Sequence, residues 1–365
     1  MILRAKTATL FSGKELTKKQ QANSNLNMKE LESGAVLLES FPRRLVLELT
    51  NACNLNCLMC GRNATDFKPT HLEMDWFWSL ARLFDTVEEV TLMGWGEPTF
   101  HPNFVEMLEI LDRYEARKYF CTNGMRLGKL MDAIFSYKVD VFAVSIDGAT
   151  KETNGAIRVG SDLDKINGYL REIIRIKQAG KLNYPYINYV FCAMKRNLHE
   201  LPQVVEMAAE IGLDEVKTVF LTAFDEAFVS EVLYDCQEEV GEVFEKAAQR
   251  ANALGVLLKL PYVQGEDPAG DKLHRDCFVT YRDFYLGSDG YVRPCMSTSD
   301  KFFLFDPERD FVDMWNAPEY QHYREAVNTP NMHKNCRTCY QSSHCNWNNK
   351  KSFYQDSENF APVWE

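Results

Sequence analysis

The sequence predicts an α/β fold built on a parallel sheet, either a partial barrel or a doubly wound sheet, followed by a small cysteine-dense domain. Three observations carry this. Strand-like runs alternate with helical patterns between residues 44 and 222, three cysteines follow the first run closely, and five of the eleven cysteines fall between Cys277 and Cys345. Residues 1–42 are polar and weakly periodic, and read as an N-terminal extension, mobile or loosely docked. Leu45-Val46-Leu47-Glu48-Leu49 is the first β-type run, and Met74 to Phe84 places large apolar residues at helical spacing. Further strands are expected at Val90–Met93, Lys118–Thr122, Val139–Ile146, Ile187–Phe191 and Val216–Leu221, with helices between them at about 104–113, 127–137, 161–179 and 199–212. Six strands joined by helices require right-handed crossovers, and such sheets carry their chemistry at the C-terminal ends of the strands. This unit spans residues 43–222. Residues 223–270 form a bridge with a helix at about Cys236–Ala253, an apolar strand Val256–Pro261 and a Gly- and Pro-containing linker from Gln264. Residues 271–365 form the cysteine-dense domain.

Composition narrows the function classes. The chain has 365 residues, 45% hydrophobic and 25% charged, enough to bury a sizeable core and unlike a disordered or collagenous chain. A net charge of -11 confines any nucleic-acid or anionic-membrane surface to a local patch, so neither is expected as a partner. No run reaches the apolar length of a membrane helix, and the opening residues lack the apolar core of a signal peptide, so a cytoplasmic location is expected. In that compartment eleven cysteines read as metal or redox ligands rather than as a disulfide framework.

Cys53, Cys57 and Cys60 form a C-x3-C-x2-C array directly after the first strand. Three thiolates on one loop can hold three irons of a cubane cluster and leave the fourth iron open to a ligand. A zinc knuckle short of its fourth ligand, or a set of buried thiols, is the plainer alternative. Further along the chain, Gly94-Trp95-Gly96-Glu97-Pro98 follows the second strand and Cys121-Thr122-Asn123-Gly124 ends the third. Ser145-Ile146-Asp147-Gly148 ends the fourth, and Arg158 comes next.

In order and placement these motifs resemble the radical S-adenosylmethionine (radical SAM) superfamily. The resemblance implies a partial (βα)6 TIM-like barrel over roughly residues 44–222, with a [4Fe–4S] cluster on the three cysteines. It implies that S-adenosylmethionine is cleaved reductively to methionine and a 5′-deoxyadenosyl radical, which abstracts a hydrogen atom from the substrate. By the same resemblance Gly94, Gly96 and Glu97 meet the methionyl ammonium, with Trp95 standing where the family has a glycine. Asn123 belongs to the cofactor-binding turn, Ser145 and Asp147 face the ribose hydroxyls, and Arg158 holds the methionyl carboxylate. Met59 takes the place of the aromatic residue whose backbone meets the adenine, and Leu221 lines the adenine pocket or packs in the core.

Cys277, Cys295, Cys336, Cys339 and Cys345, with Gly290 five residues before Cys295, resemble the SPASM/twitch auxiliary-cluster domain. Asn349 stands where the motif's last cysteine is expected, so one auxiliary [4Fe–4S] cluster on Cys277, Cys295, Cys336 and Cys339 is implied, with Cys345 a spare or substitute ligand. On spacing alone a zinc site with four cysteines fits equally well. His333 and His344 read as bystanders, and Cys121, Cys192 and Cys236 as buried, inert thiols. The chemistry expected is oxidation or epimerisation of a small hydroxylated molecule such as a sugar or aminocyclitol. A peptide- or protein-modifying maturase is the alternative, and a non-catalytic iron–sulfur or zinc scaffold is a third reading. A flavodoxin- or ferredoxin-type electron donor is implied. Oxidation of an alcohol needs a general base, and Asp225, Glu226 and Tyr262, at the end of the sixth strand and in the bridge, are candidates.

Overall fold

The computed structural model describes residues 14–64, 68–224, 226–261, 277–296, 300–333 and 336. Its strands, in chain order, are β1 (Arg44–Leu47), β2 (Asn56–Cys57), β3 (Glu89–Leu92), β4 (Arg117–Thr122), β5 (Val141–Ile146), β6 (Arg158–Val159), β7 (Tyr186–Ala193), β8 (Glu215–Phe220), β9 (Leu257–Lys259), β10 (Asp283–Leu286), β11 (Tyr291–Arg293) and β12 (Phe303–Leu304). The main sheet runs β12-β11-β10-β1-β3-β4-β5-β7-β8-β9. From β10 through β9 every neighbour is parallel, and only β11 and β12 pair antiparallel.

The six expected barrel strands are β1, β3, β4, β5, β7 and β8. Helices Phe104–Leu111, Leu163–Ala179 and Leu201–Ile211 lie among the crossovers. These strands lack a clean apolar–polar alternation because most of their residues are buried on both faces of the sheet. Phe104, Phe120 and Phe142 form one row of rings on the helix side, with centroids 5.3 and 5.2 Å apart. After β12 come two short helices, Phe311–Trp315 and Pro318–Ala326. Pro318 can begin a helix but cannot continue one.

One expectation needs correction. The N-terminal segment is neither mobile nor loosely docked over its described part: Lys18–Ser33 is a helix with a Thr17/Gln20 capping box and a left-handed Gly34 at its end. Its buried residues are Gln20, Ser24, Asn27 and Glu30, polar but at helical spacing. Gln20 Nε2 donates to Val87 O at 2.8 Å, and Asn27 Nδ2 donates to Ser40 Oγ at 2.9 Å and to Tyr281 O at 2.8 Å. Ser24 hydrogen-bonds Glu88. The helix is held by hydrogen bonds rather than by an apolar stripe, which is why apolar periodicity misses it.

The described part of the cysteine-dense region joins the main sheet: β10 lies parallel to β1 in full register, from Arg44 opposite Asp283 to Leu47 opposite Leu286. Asp283 is buried between Arg44 and Arg282. Burial pushes its carboxyl up, but the two guanidinium groups more than offset this and hold it at about 2. Arg324 ties the same region to the N-terminal segment: it donates to Thr280 O, Val36 O and Trp315 O and lies over the Trp315 ring.

A carboxyl depressed in the folded state stabilises the protein above its unfolded pKa, and that stability is lost as pH falls through the folded value. Acid titration of unfolding free energy is therefore expected to show a loss on the order of 2 kcal/mol between about pH 4 and pH 2 in the wild type. Asp283→Asn is expected to be less stable at neutral pH and to lack that component. Equal acid profiles for the two proteins would contradict the assignment.

Candidate active site

The C-terminal ends of β1, β3, β4 and β5 bring the sequence motifs together. The cysteine loop leaves β1 through Thr50 and Asn51, which segment 68–70 clamps: Thr50 Oγ1 donates to Thr70 O at 2.8 Å, and Thr70 N donates to Asn51 Oδ1 at 2.6 Å. Within the loop β2 pairs antiparallel with β6, setting Cys57 opposite Arg158. The short ribbon joins the middle cysteine to an arginine 101 residues further on, and Arg158 Nη1 lies 4.0 Å from Cys57 Sγ. Cys53, Cys57 and Cys60 are half-buried. Burial, with added charge from Cys60 and Cys53, pushes the Cys57 thiol up to about 11 against the pull of Arg158. A soft donor set of this kind suits iron or zinc, and it is the bound cation that stabilises the thiolates.

The Gly94–Pro98 loop is built against this one. Glu97 N donates to Ala52 O at 2.9 Å. A Cβ at Gly96 would lie 2.3 Å from Thr50 O and 2.5 Å from Ala52 O, and one at Gly94 would lie 2.2 Å from Glu48 Cγ. Both glycines are therefore required by the close approach of other protein segments.

Glu97 is 2% exposed. Its Oε1 accepts from Thr122 Oγ1 and Thr99 Oγ1, both at 2.7 Å, and from Thr99 N at 3.2 Å, while Oε2 accepts from Asn123 N at 2.7 Å. Burial pushes this carboxyl up and the four donors oppose it. In this position Glu97 fastens the β3 loop to the turn after β4. Asn123 in that turn donates to Asn54 Oδ1 at 2.9 Å and reaches Cys53 Sγ at 3.8 Å.

Asp147 is fully buried, with Oδ2 2.7 Å from Arg158 Nε and Oδ1 accepting from Cys192 N at 2.8 Å. Ser145 on β5 is half-buried, with Oγ 3.4 Å from Cys121 Sγ. Burial works against the Arg158 guanidinium, but Asp147 and the nearby thiols of Cys57, Cys192 and Cys121 hold its pKa above the ordinary arginine value. Cys121 and Cys192 are thus beside the site, and burial pushes both thiols up. Leu221 is 2% exposed and packs with Ile157, Met194, Ala223 and Val232, against which Met59 lies.

Sequence reasoning missed Glu48. Its buried carboxylate accepts from Trp95 N at 3.0 Å, Tyr285 OH at 3.1 Å and Ser288 Oγ at 2.7 Å, joining the first strand, the β3 loop and the β10 turn. A charged residue inside the apolar run at 45–49 was the available signal. In the cysteine-dense region, Cys277 exchanges two hydrogen bonds with Asn328, at 2.9 and 2.8 Å. The Tyr323 hydroxyl senses both Cys336 and Cys295. Cys339, Cys345, His344, Asp225 and Tyr262 lie outside the described residues; Glu226 is exposed. His333 Nδ1 lies 3.2 Å from Asp300 Oδ2.

Residues 47–187 match the family model described as the radical SAM superfamily, and residues 277–340 match the SPASM model, described as an iron–sulfur cluster-binding domain. The chain belongs to the radical SAM superfamily. Members of this family carry a [4Fe–4S] cluster and S-adenosylmethionine, and the SPASM region adds auxiliary iron–sulfur binding. The chain is 23% identical over 319 residues to the tungsten-containing aldehyde ferredoxin oxidoreductase cofactor-modifying protein of Pyrococcus furiosus, covering 81% of this chain and 86% of that one. It is 30% identical over 192 residues to the mycofactocin maturase MftC of Mycobacterium tuberculosis, covering 48% of this chain and 46% of the maturase. The fold matches Streptococcus suis SuiB bound to S-adenosylmethionine with a TM-score of 0.64 at 16% identity, over 85% of this chain and 71% of SuiB. Among the described residues no helix is long and apolar enough to cross a membrane.

Removing the anion from the Asp147–Arg158 pair strands a buried guanidinium. Asp147→Asn is therefore expected to cost on the order of 3–5 kcal/mol in denaturant unfolding, and adding Arg158→Met is expected to recover part of that loss. A single-variant cost below about 1 kcal/mol would show that the pair does not organise the site.

Proposed function

We propose that this radical SAM enzyme removes a hydrogen atom from its substrate and completes an oxidation, with Cys53, Cys57 and Cys60 holding the cluster that binds S-adenosylmethionine. The observation that carries the reading is the ribbon that sets Cys57 opposite Arg158, because it puts a fixed cation beside the cysteine loop. When bound, the cluster supplies the electron that cleaves S-adenosylmethionine, whose adenosyl fragment takes the hydrogen atom.

The chain's own residues bind and orient. Arg158, aimed by Asp147, suits the methionyl carboxylate, and its planar guanidinium gives direction as well as charge. The main chain of residues 94–97 suits the ammonium, Ser145 a ribose hydroxyl, and Asn123 steadies the cysteine loop. Met59 offers a polarizable thioether for the adenine. Cys277, Cys295, Cys336 and Cys339 would hold one auxiliary cluster, which serves as an acceptor for the second electron of an oxidation. Cys345 remains a spare or substitute ligand in this reading, and a flavodoxin- or ferredoxin-type protein is the donor proposed.

Two substrate classes fit this chemistry. A small hydroxylated molecule follows from a single auxiliary cluster. A peptide side chain agrees with likeness to a maturase and to SuiB, which has also been solved with its precursor peptide SuiA.

Cysteine variants separate the two sites. Anaerobically reconstituted wild type is expected to hold about eight irons per chain, and dithionite with S-adenosylmethionine is expected to yield 5′-deoxyadenosine. Cys57→Ala should retain about four irons and form no 5′-deoxyadenosine, whereas Cys295→Ala should also lose about four irons yet still cleave S-adenosylmethionine. Cleavage by Cys57→Ala at the wild-type rate would overturn the assignment.

A further inference from the structure

We propose that Lys217 anchors a carboxylate of the substrate inside the curled sheet, so that the site selects a small molecule bearing one acidic group. The inference rests on the radical SAM reading of this site, and it adds a carboxylate to the small hydroxylated class named there.

Side chains alternate between the two faces of a strand, so position along β4, β5, β7 and β8 sorts them. One face carries Phe120, Phe142, Phe191 and Val216, which share the apolar core with helix residues such as Ile166 and Val204. The opposite face is polar. On β4, β5 and β7 every half-buried residue belongs to it, Tyr119, Cys121, Ser145 and Cys192 among them, and half-buried Lys217 continues it on β8. Trp95 follows β3 and Phe224 follows β8, and their ring centroids lie 5.3 Å apart although β4, β5 and β7 stand between those strands. Contact between loops so distant along the sheet requires the sheet to curl. The helices cover the apolar face, so the polar face is the concave one.

Register fixes the level of Lys217 within the concavity. Ser145 on β5 lies opposite Val190 on β7, and Val190 lies opposite Lys217 on β8. The serine and the lysine therefore share one row two strands apart, about 10 Å at ordinary strand spacing. Ser145 is the residue proposed for the cofactor's ribose, so Lys217 stands at the level of the cofactor rather than at the base of the sheet. The lysine is also felt across the concavity: burial pushes the Cys121 thiol on β4 up, and Arg158 and Lys217 are among the groups that pull it down. Between the two flanks there is room for one small molecule beside the cofactor.

The carboxylates of the same face have cations of their own. Glu215 accepts from Tyr186 OH at 2.9 Å and lies 2.6 Å from Lys259 Nζ, and Asp147 pairs with Arg158. An ammonium in such a concavity attracts an anion more strongly than one on an open surface, because less water screens it. A lysine offers a single compact charge, which matches a carboxylate. A phosphate ester carries close to two charges and calls for more than one such donor.

The test alkylates anaerobically reconstituted protein, without S-adenosylmethionine so that the concavity stays open, and reads Cys121 by peptide mass spectrometry. Iodoacetate carries a carboxylate and iodoacetamide does not, and the quotient of their rates cancels the thiolate fraction. Lys217→Met is expected to lower the iodoacetate-to-iodoacetamide quotient at Cys121 by at least about threefold, with Lys217→Arg keeping most of it and the quotient at Cys236 unchanged. An unchanged quotient at Cys121 in Lys217→Met, or no alkylation of Cys121 by either reagent, would overturn the proposal. Against iodoacetamide, D-gluconate is expected to protect wild-type Cys121 at least about threefold better than D-sorbitol and no worse than D-glucose 6-phosphate. Equal protection by gluconate and sorbitol, or stronger protection by the phosphate ester, contradicts the carboxylate. Failure of the wild type to form 5′-deoxyadenosine strikes the radical SAM reading instead, since neither alkylation measurement needs turnover.

Discussion

Buried carboxylates at strand ends hold this site together. Glu48 follows β1 and accepts the Trp95 N–H from the loop after β3. Glu97 lies in that loop and accepts from Thr122 and Asn123 at the end of β4. Asp147 follows β5, accepts the Cys192 N–H at the end of β7 and pairs with Arg158. Each takes donors from the terminus of another strand, where backbone N–H groups would otherwise be left unsatisfied in a buried place. Parallel strands are joined only by long crossovers, so the order of their ends in space depends on such cross-links. The result is a fixed rim on which a cysteine loop and an arginine can be set opposite each other.

The same logic extends the rim to the auxiliary region. Glu48 also accepts from Tyr285 and Ser288, so one side chain touches the first strand, the β3 loop and the strand that opens the iron–sulfur-binding region. With β10 parallel to β1 and Asp283 held by two arginines, the two parts share a sheet.

The order of strands and most helices was legible because the largely buried parallel strands are rich in apolar residues and their crossovers carry strong 3.6-residue periodicity. The cysteine array and the four following motifs were legible as spacings. What each motif residue does was much less so. That Glu97 and Asp147 also tie loops together is shown only by their burial and their donors. The close approach of Glu48 and of residues 50–52 to Gly94 and Gly96 leaves no mark in the sequence. The helix at Lys18–Ser33 buries Gln20, Ser24, Asn27 and Glu30, a polar face to which an apolar pattern search is blind, although its capping box was written in Thr17 and Gln20. Phe224 meets Trp95 only through the curl of the sheet, a property of no local stretch of sequence.

The most direct test of the account is electron paramagnetic resonance of the dithionite-reduced protein in which Cys295 and Cys336 are replaced, so that only the first cysteine loop can hold a cluster. A reduced [4Fe–4S] signal that changes shape when S-adenosylmethionine is added is the predicted result, since the three-cysteine loop leaves one iron open to that ligand. A reduced cluster signal that S-adenosylmethionine leaves unchanged, or no iron–sulfur signal after anaerobic reconstitution, would contradict it.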